Sequence, residues 1–278
     1  MIILSNEEVS ELLSMETCLR HLEAAYKDLS EGSAVNRPRS DLYLPATTPG
    51  GVYCFKTMEG GLAREKIVAL RLNSDVIKWQ EKAGRIIKDK VPAAPGNKWV
   101  GLVLLFSAET GEPLAILPDG IIQGIRVAAS SALAARFLAR EDATVAGILG
   151  SGWQARAHAR AMCAVRKIEK ILVHSPTKSN REKFAVEVEK ELAVPVEAAP
   201  SGESVAEGAD ILVAATNSVS RVVPPDWLKP GMHVTCVKIT ELGEETLRKF
   251  DRLVIHTRKW APDNYITGFN DEKVEAHD

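Results

Sequence analysis

Three glycines raise the first chemical question. In "GILGSGWQA", Gly147, Gly150 and Gly152 follow an apolar run and precede an alanine-rich stretch without proline. That order reads as strand, tight turn and helix. A helix start offers unpaired N–H groups and the positive end of the helix dipole to a phosphate. Gly150 permits the turn and Gly152 lets the backbone approach a pyrophosphate. Ala155 stands at the third position of the dinucleotide fingerprint and is small enough for helix–strand packing. Ser151, Trp153 and Gln154 complete the turn. A purely structural turn would also use such glycines, but the strand–helix alternation that follows favours a dinucleotide. Ala215, Thr216 and Asn217, ending the later buried run "ADILVAATN", join the expected cofactor-binding set.

Selectivity between the nicotinamide dinucleotides is read at the end of the second strand, roughly 20 residues on, where NAD sites carry an acidic residue. Here "ILVHSPTKSNR" supplies Ser175 and Thr177, then Lys178 and Arg181, and no carboxylate. Two cations without a repelling charge suit a 2′-phosphate, so NADP(H) is expected ahead of NAD(H). The plainer reading makes Lys178 and Arg181 solvated charges on a helix surface.

Further cations could hold a substrate. Arg39 sits in a proline-punctuated segment, Lys66 and Arg71 are expected on the strand "KIVALRLNSD", and Arg126 opens a small-residue helix. A charge on an apolar strand is costly unless it meets an anion, and a substrate carboxylate would be one. An internal salt bridge is the competing explanation for each. His21, His158, His174, His233 and His256 are scattered without metal-ligand spacing. No Gly-x-Ser-x-Gly elbow or Cys/His pairing supports covalent catalysis.

The elements that position these residues follow from pattern. Ser5 and Glu8 form a capping box for the first of two helices, and Gly32 stops the second. Strands are expected at "GGVYCFKTM", "KIVALRLNS", "VGLVLLFSA" and "EPLAILP", the last two as a hairpin. The polar stretch "SDVIKWQEKAGRIIKDKVPAAPGNK" reads as a long loop or short helix. From "TVAGILG" onward strands and helices alternate through "DRLVIHT", which means a doubly wound parallel sheet. The expected fold is α/β, with an N-terminal α+β substrate and dimerisation domain over residues 1–119 and a Rossmann domain over 120–260. Residues 261–278 form a C-terminal tail. Hydrophobic residues at 45% and a formal charge of −2 suit a soluble globular protein and argue against a nucleic-acid partner. The apolar runs are too short to span a bilayer, and "MIILSNEEVSELL" lacks a basic leader. Four dispersed cysteines read as reduced thiols of a cytoplasmic protein.

The composite "GEPLAILPDGIIQGIRVAASSALAARFLAREDATVAGILGSGWQARAHARA" resembles the ornithine cyclodeaminase/mu-crystallin family, which includes archaeal alanine dehydrogenase and imine reductases. The likeness runs from the N-terminal helices to "DRLVIH". It implies a homodimer whose N-terminal domains pair, and a substrate carboxylate held by two arginines and a lysine. Arg39, Lys66 and Arg126 match those positions, and small alignment shifts bring Lys56 or Arg71 to the lysine's place. Gln123 and Val127 replace threonines beside the family's arginine. Cyclodeaminases carry an aspartate base where this chain has Thr240, with Lys238 in place of a glycine and Glu241 nearby. Threonine is no carboxylate base near neutral pH. The resemblance therefore implies an NAD(P)H-dependent imine reductase or amino acid dehydrogenase acting on a small 2-imino or 2-amino acid. A cyclodeaminase with tightly held NAD and a non-catalytic ligand-binding protein are the alternatives. The family also implies a C-terminal segment that returns to the first domain, which the tail would begin.

Overall fold

The computed structural model describes residues 1–82, 85–91, 100–256 and 263–266. The first part contains β1 (Ile2–Ile3), α1 (Asn6–Leu12), α2 (Met15–Ser30), β2 (Ala34–Asn36), β3 (Ser40–Pro45), β4 (Gly51–Leu62), β5 (Ile67–Lys82), β6 (Arg85–Val91), β7 (Val100–Ser107) and β8 (Pro113–Pro118). The capping box forms: Ser5 Oγ accepts from the Glu8 N–H at 3.2 Å, and Glu8 Oε2 accepts from the Ser5 N–H at 2.7 Å. Gly32, just past α2, takes φ +76°, a left-handed turn that glycine adopts without strain.

After β8 come α3 (Asp119–Leu138), β9 (Val145–Leu149), α4 (Trp153–Val165), β10 (Lys170–His174), α5 (Lys178–Leu192), β11 (Val196–Ala198), α6 (Gly202–Gly208), β12 (Ile211–Ala214), β13 (His233–Cys236), α7 (Gly243–Leu247) and β14 (Asp263–Ile266). β9 to β13 form a parallel sheet in the order β11-β10-β9-β12-β13. The chain starts at the middle strand, winds outward one way, then crosses to wind the other. That leaves a crevice between the carboxyl ends of β9 and β12, the switch point where nucleotides bind in such sheets. Ile148, Ile171, Ile211 and Val213 pack toward α3, α4 and α5, while Leu149, Leu172 and Leu212 pack toward α6. Both faces are covered, as the continuous apolar strands require.

The other sheet is built on β5. Its first half pairs with β7 and its second with β6, while β4 runs antiparallel along its whole length. β7 and β8 form the expected hairpin, and β14 adds to β3 in parallel. The reading of "SDVIKWQEKAGRIIKDKVPAAPGNK" as loop or helix is corrected: β5 runs on through Trp79 and folds back as β6. The reason is period-two burial, with Asp75 and Ile77 inside while their neighbours are less covered. Residues 83–84 and 92–98 of that stretch lie outside the described residues. The strand expected at "DRLVIHT" does not form through His256; Leu253, Val254 and Ile255 stay exposed, with no ladder partner among the described residues. An apolar run makes a buried strand only when neighbours cover it.

Register sorts the side chains of this sheet. Asp41, Lys56 and Asn73 lie abreast on one face, beside Arg71 and Asp75, and α3 packs over that face. The opposite face is apolar and largely open, with Leu42, Leu44, Val68 and Leu102 each more than one-third exposed.

Candidate active site

Gly150 lies at the switch point and could be nothing larger. Its φ is +115°, and a Cβ there would lie 2.3 Å from the Ala215 carbonyl oxygen. The turn thus interlocks with the end of β12, whose Ala215 N–H donates to Leu149 O at 2.9 Å. Gly152 caps α4 without a side chain, a Cβ there would meet nothing within 4 Å, and no acidic residue occupies the first turn. The result is an open helix N-terminus without competing charge, which fits a pyrophosphate. Ala155 is fully buried beneath it. Gln154 carries a buried Oε1 with no partner among the described residues, a group that a bound dinucleotide or a water could satisfy. Trp153, half exposed, lies against Gly124, where a Cβ would meet the ring at 2.6 Å. That contact sets the first turns of α3, and Arg126 with them, beside the cofactor turn.

The second-strand end is built from the residues expected there. Ser151 Oγ donates to Ser175 Oγ at 2.9 Å, linking the two turns, and Arg181 Nη1 donates to Ser175 O at 2.9 Å. Thr177 caps α5 without a side-chain hydrogen bond. Lys178 is exposed, with Glu182 at 3.7 Å.

Thr216 and Asn217, expected to bind cofactor, also bond to protein partners. The Thr216 N–H and hydroxyl both donate to Glu241 Oε1, at 2.7 and 2.6 Å. Glu241 Oε2 accepts from the N–H groups of Val237 and Lys238 at 3.2 and 3.0 Å. Four donors converge on a fully buried carboxylate, so Glu241 fastens the loop after β12 to the loop after β13. Asn217 turns the other way: its Nδ2 donates to Asp89 Oδ1 at 3.0 Å, and its carbonyl accepts from Lys88 N–H at 3.2 Å. These bonds dock β6 onto the nucleotide-type sheet. Thr240 stands half-buried in the short turn Ile239–Glu241. Lys238 directs its ammonium to Ser218 O at 2.5 Å.

The polar sheet face lies under α3, whose Gly124 meets Trp153 of the cofactor turn. Arg71 makes a two-nitrogen pair with Asp119, to which Asn73 also donates at 3.0 Å. Arg39 pairs in the same way with Asp41, which also accepts from the Tyr43 hydroxyl at 3.0 Å. Lys90 pairs with Asp75. Arg39 and Arg71, expected to grip a substrate, therefore already hold buried carboxylates. Lys66 is corrected more sharply. It precedes β5 in a hairpin turn at φ +56°, is 58% exposed at the side chain, and pairs with Glu109 at 2.6 Å. Six residues of strand, about 20 Å, separate Ile67 from Asn73 at the polar cluster.

Two cations on this face have no hydrogen bond or ion pair from their charged groups among the described residues, Lys56 and Arg126. Burial pushes the Lys56 ammonium below its ordinary range, and the charges of Lys88 and Arg39 add to that. Burial, then the neighbouring Arg71 charge, lowers Arg126, with Asp119 partly opposing. Arg126 and Asp119 are seven residues apart and so share a face of α3. Lys56 stands across from Asn73, which bonds that same Asp119. The two cations thus flank one buried carboxylate cluster. Lys56 was legible only as an alternative to Lys66. The signal was the polar alternation Asp41-x-Tyr43 and Asn73-x-Asp75, where an apolar face would otherwise be expected.

Comparison with known proteins follows this geometry. The profile of the ornithine cyclodeaminase/mu-crystallin family matches residues 1–261. A Delta(1)-pyrroline-2-carboxylate reductase of Bacillus cereus is 28% identical over 274 residues, covering 95% of this chain and 77% of that protein. Ketimine reductase mu-crystallin of Rattus norvegicus is 27% identical over 252 residues, covering 88% and 75%. The solved structure of the Thermococcus litoralis Delta(1)-pyrroline-2-carboxylate reductase, in complex with NADH and L-proline, has a TM-score of 0.71 at 29% identity. It covers 85% of this chain and 68% of that one.

Proposed function

The chain belongs to the ornithine cyclodeaminase/mu-crystallin family and is an NAD(P)-dependent oxidoreductase, and we propose that it reduces a small 2-imino acid at C2. The observation that carries this reading is the pair Lys56 and Arg126, two buried cations near a dinucleotide cradle whose charged groups make no hydrogen bond or ion pair among the described residues. A buried charge of this kind is costly until an anion arrives. The substrate's carboxylate is that anion.

Gly150, Gly152 and the open start of α4 hold the pyrophosphate, and the nicotinamide supplies the hydride when bound. Arg126 and Lys56 fix the carboxylate and so orient C2 within the crevice. Their charge stays matched to the substrate's carboxylate throughout, so C2 is held in place as it gains electrons. Water supplies the nitrogen's proton. Arg71, Arg39 and Asn73 act as supports, holding Asp119 and Asp41 so that the two unpaired cations stay in place. Ser175, Thr177, Lys178 and Arg181 favour NADP(H) over NAD(H). The open apolar face bearing Leu42, Leu44, Val68 and Leu102 suits pairing of two copies as a homodimer. The four thiols are unpaired, in keeping with a cytoplasmic protein.

Cyclodeamination needs a carboxylate base. Thr240 is none, and Glu241 is saturated by four donors. The reductase reading is tested by following NAD(P)H oxidation with pyrroline- and piperideine-2-carboxylate and with 2-oxo acids plus ammonia or methylamine. Lys56→Met is expected to raise KM about tenfold or more, whereas Lys66→Met stays within about twofold. Arg126→Lys keeps the charge but loses the planar fork and should impair turnover. Proline and ammonia formed from L-ornithine with catalytic NAD would restore the cyclodeaminase. Cofactor binding without turnover of any imine would favour a ligand-binding protein.

A further inference from the structure

β6 is an edge strand of the N-terminal sheet, its strand partner among the described residues being β5. Its other edge is covered by a loop of the nucleotide-type half. The Lys88 N–H donates to Asn217 O at 3.2 Å, and the Val219 N–H donates to Ile86 O at 3.1 Å. These bonds flank an antiparallel bridge between Ile87 and Ser218. The loop after β12 thus adds to the neighbouring sheet and satisfies groups that an edge strand otherwise exposes. One side-chain bond lies beside the bridge: Asn217 Nδ2 donates to Asp89 Oδ1 at 3.0 Å.

The same loop is anchored from its own side. The Ala215 N–H donates to Leu149 O at 2.9 Å, and Thr216 gives both its donors to Glu241. Residues 215–219 therefore join two sheets. Their position over the nucleotide-type sheet indicates what they carry. Ser175 and Thr177, expected beside the adenosine ribose, follow β10; the pyrophosphate turn follows β9; β12 lies on the other side of β9. A dinucleotide laid across this switch point brings its nicotinamide half over the end of β12. From the bridge, hydrogen-bonded ladders run through β6 and β5 to β4, where Lys56 stands across from Asn73. The bridge is a direct link between the nicotinamide side and the sheet that bears a substrate cation.

We propose that Asp89 is a positioning residue for hydride transfer. By holding Asn217, it fixes the loop on the nicotinamide side against the sheet carrying Lys56, and so keeps the cofactor ring and the imine carbon in register. This rests on the reductase reading above. Asp89 acts through Asn217 and exchanges no proton: C2 still gains the hydride, and the nitrogen still takes its proton from water. The bond is solvent-exposed, so losing it costs folding little. A small displacement of reacting groups, by contrast, costs rate steeply.

The experiment compares Asp89→Ala and Asp89→Asn with the full-length parent. The substrate is whichever imine the parent reduces fastest among pyrroline-2-carboxylate, piperideine-2-carboxylate and 2-oxo acids with ammonia or methylamine. Asp89→Ala is expected to lower kcat about tenfold or more, with KM within about threefold of the parent's. Its melting temperature and its affinity for ADP-ribose, or for the 2′-phosphate of ADP-ribose, should stay near the parent's, since neither depends on the nicotinamide. Asp89→Asn keeps an oxygen acceptor and should keep most of kcat. A second readout needs no turnover: the fluorescence of bound NAD(P)H, which reports how firmly the nicotinamide is held, should differ between Asp89→Ala and the parent. Parent-like kcat or parent-like nicotinamide fluorescence in Asp89→Ala overturns the inference and leaves the reductase reading standing. A fall in kcat that comes with a lowered melting temperature, or that Asp89→Asn shares in full, also overturns it. Failure of the parent to reduce any imine, with cofactor bound, overturns both.

Discussion

Arg71 grips Asp119 through two nitrogens, at 2.8 and 2.7 Å, and so ties the middle of β5 to the first residue of α3. The pair is nearly dry, with side-chain exposures of 15% and 2%. Removing one partner strands the other's charge in the interior. Arg71→Met is expected to cost about 3–5 kcal/mol, measured by urea unfolding, and removing both partners should cost less than the sum. A loss below about 1 kcal/mol would mean that Arg71 is available to substrate after all.

The two glycines of the cofactor turn should fail differently. A Cβ at Gly150 would lie 2.3 Å from a backbone oxygen at a left-handed φ, whereas one at Gly152 would meet open space within the protein. Gly150→Ala should therefore lower the melting temperature and cofactor affinity together. Gly152→Ala should leave melting nearly unchanged while weakening NADH and NADPH binding, because its methyl enters the space meant for the pyrophosphate. Equal cofactor affinity in Gly152→Ala and the parent would place the pyrophosphate elsewhere.

Cofactor choice is a separate question. Ser175→Asp puts a carboxylate where the 2′-phosphate of NADP would sit, and should weaken NADPH by about 10- to 150-fold. The dissociation constants of both cofactors for both proteins decide it. NADH binding as tight as NADPH binding in the parent would remove the basis for an NADP preference.

Acid should destabilise the protein partly through His233. Burial, with the Arg166 charge adding to it, holds this imidazole at about 4 rather than 6.5, and its Nε2 has no partner among the described residues. The unfolded chain therefore takes up the proton first as pH falls. The stabilisation is fully present above about pH 6.5 and is lost progressively down to about pH 4, a change on the order of 3 kcal/mol. His233→Gln should flatten the melting temperature across that window. An unchanged acid slope would assign the effect to other groups, His158 first, whose burial also lowers its pKa.

The nucleotide-type half was readable because its signals are local. An apolar strand, a glycine turn and an alanine-rich helix are adjacent in sequence, and Gly150 has only one conformational use there. The same holds for the Ser5–Glu8 cap and the β7–β8 hairpin. The choice among cations was not local. Arg39, Lys56, Lys66, Arg71 and Arg126 are equivalent as residue types, and what separates them is whether a carboxylate from another element reaches each one. Asp119 comes to Arg71 from 48 residues away and Asp41 to Arg39 from two, while Lys66 falls in a turn and Lys56 and Arg126 are left unpaired among the described residues. Glu241 was likewise ambiguous until Thr216, from across two strands' ends, met its carboxylate. Chain order alone determined a parallel sheet with a dinucleotide turn. Only tertiary structure decided which charges are satisfied, because pairing depends on distances between segments that the order of residues does not contain.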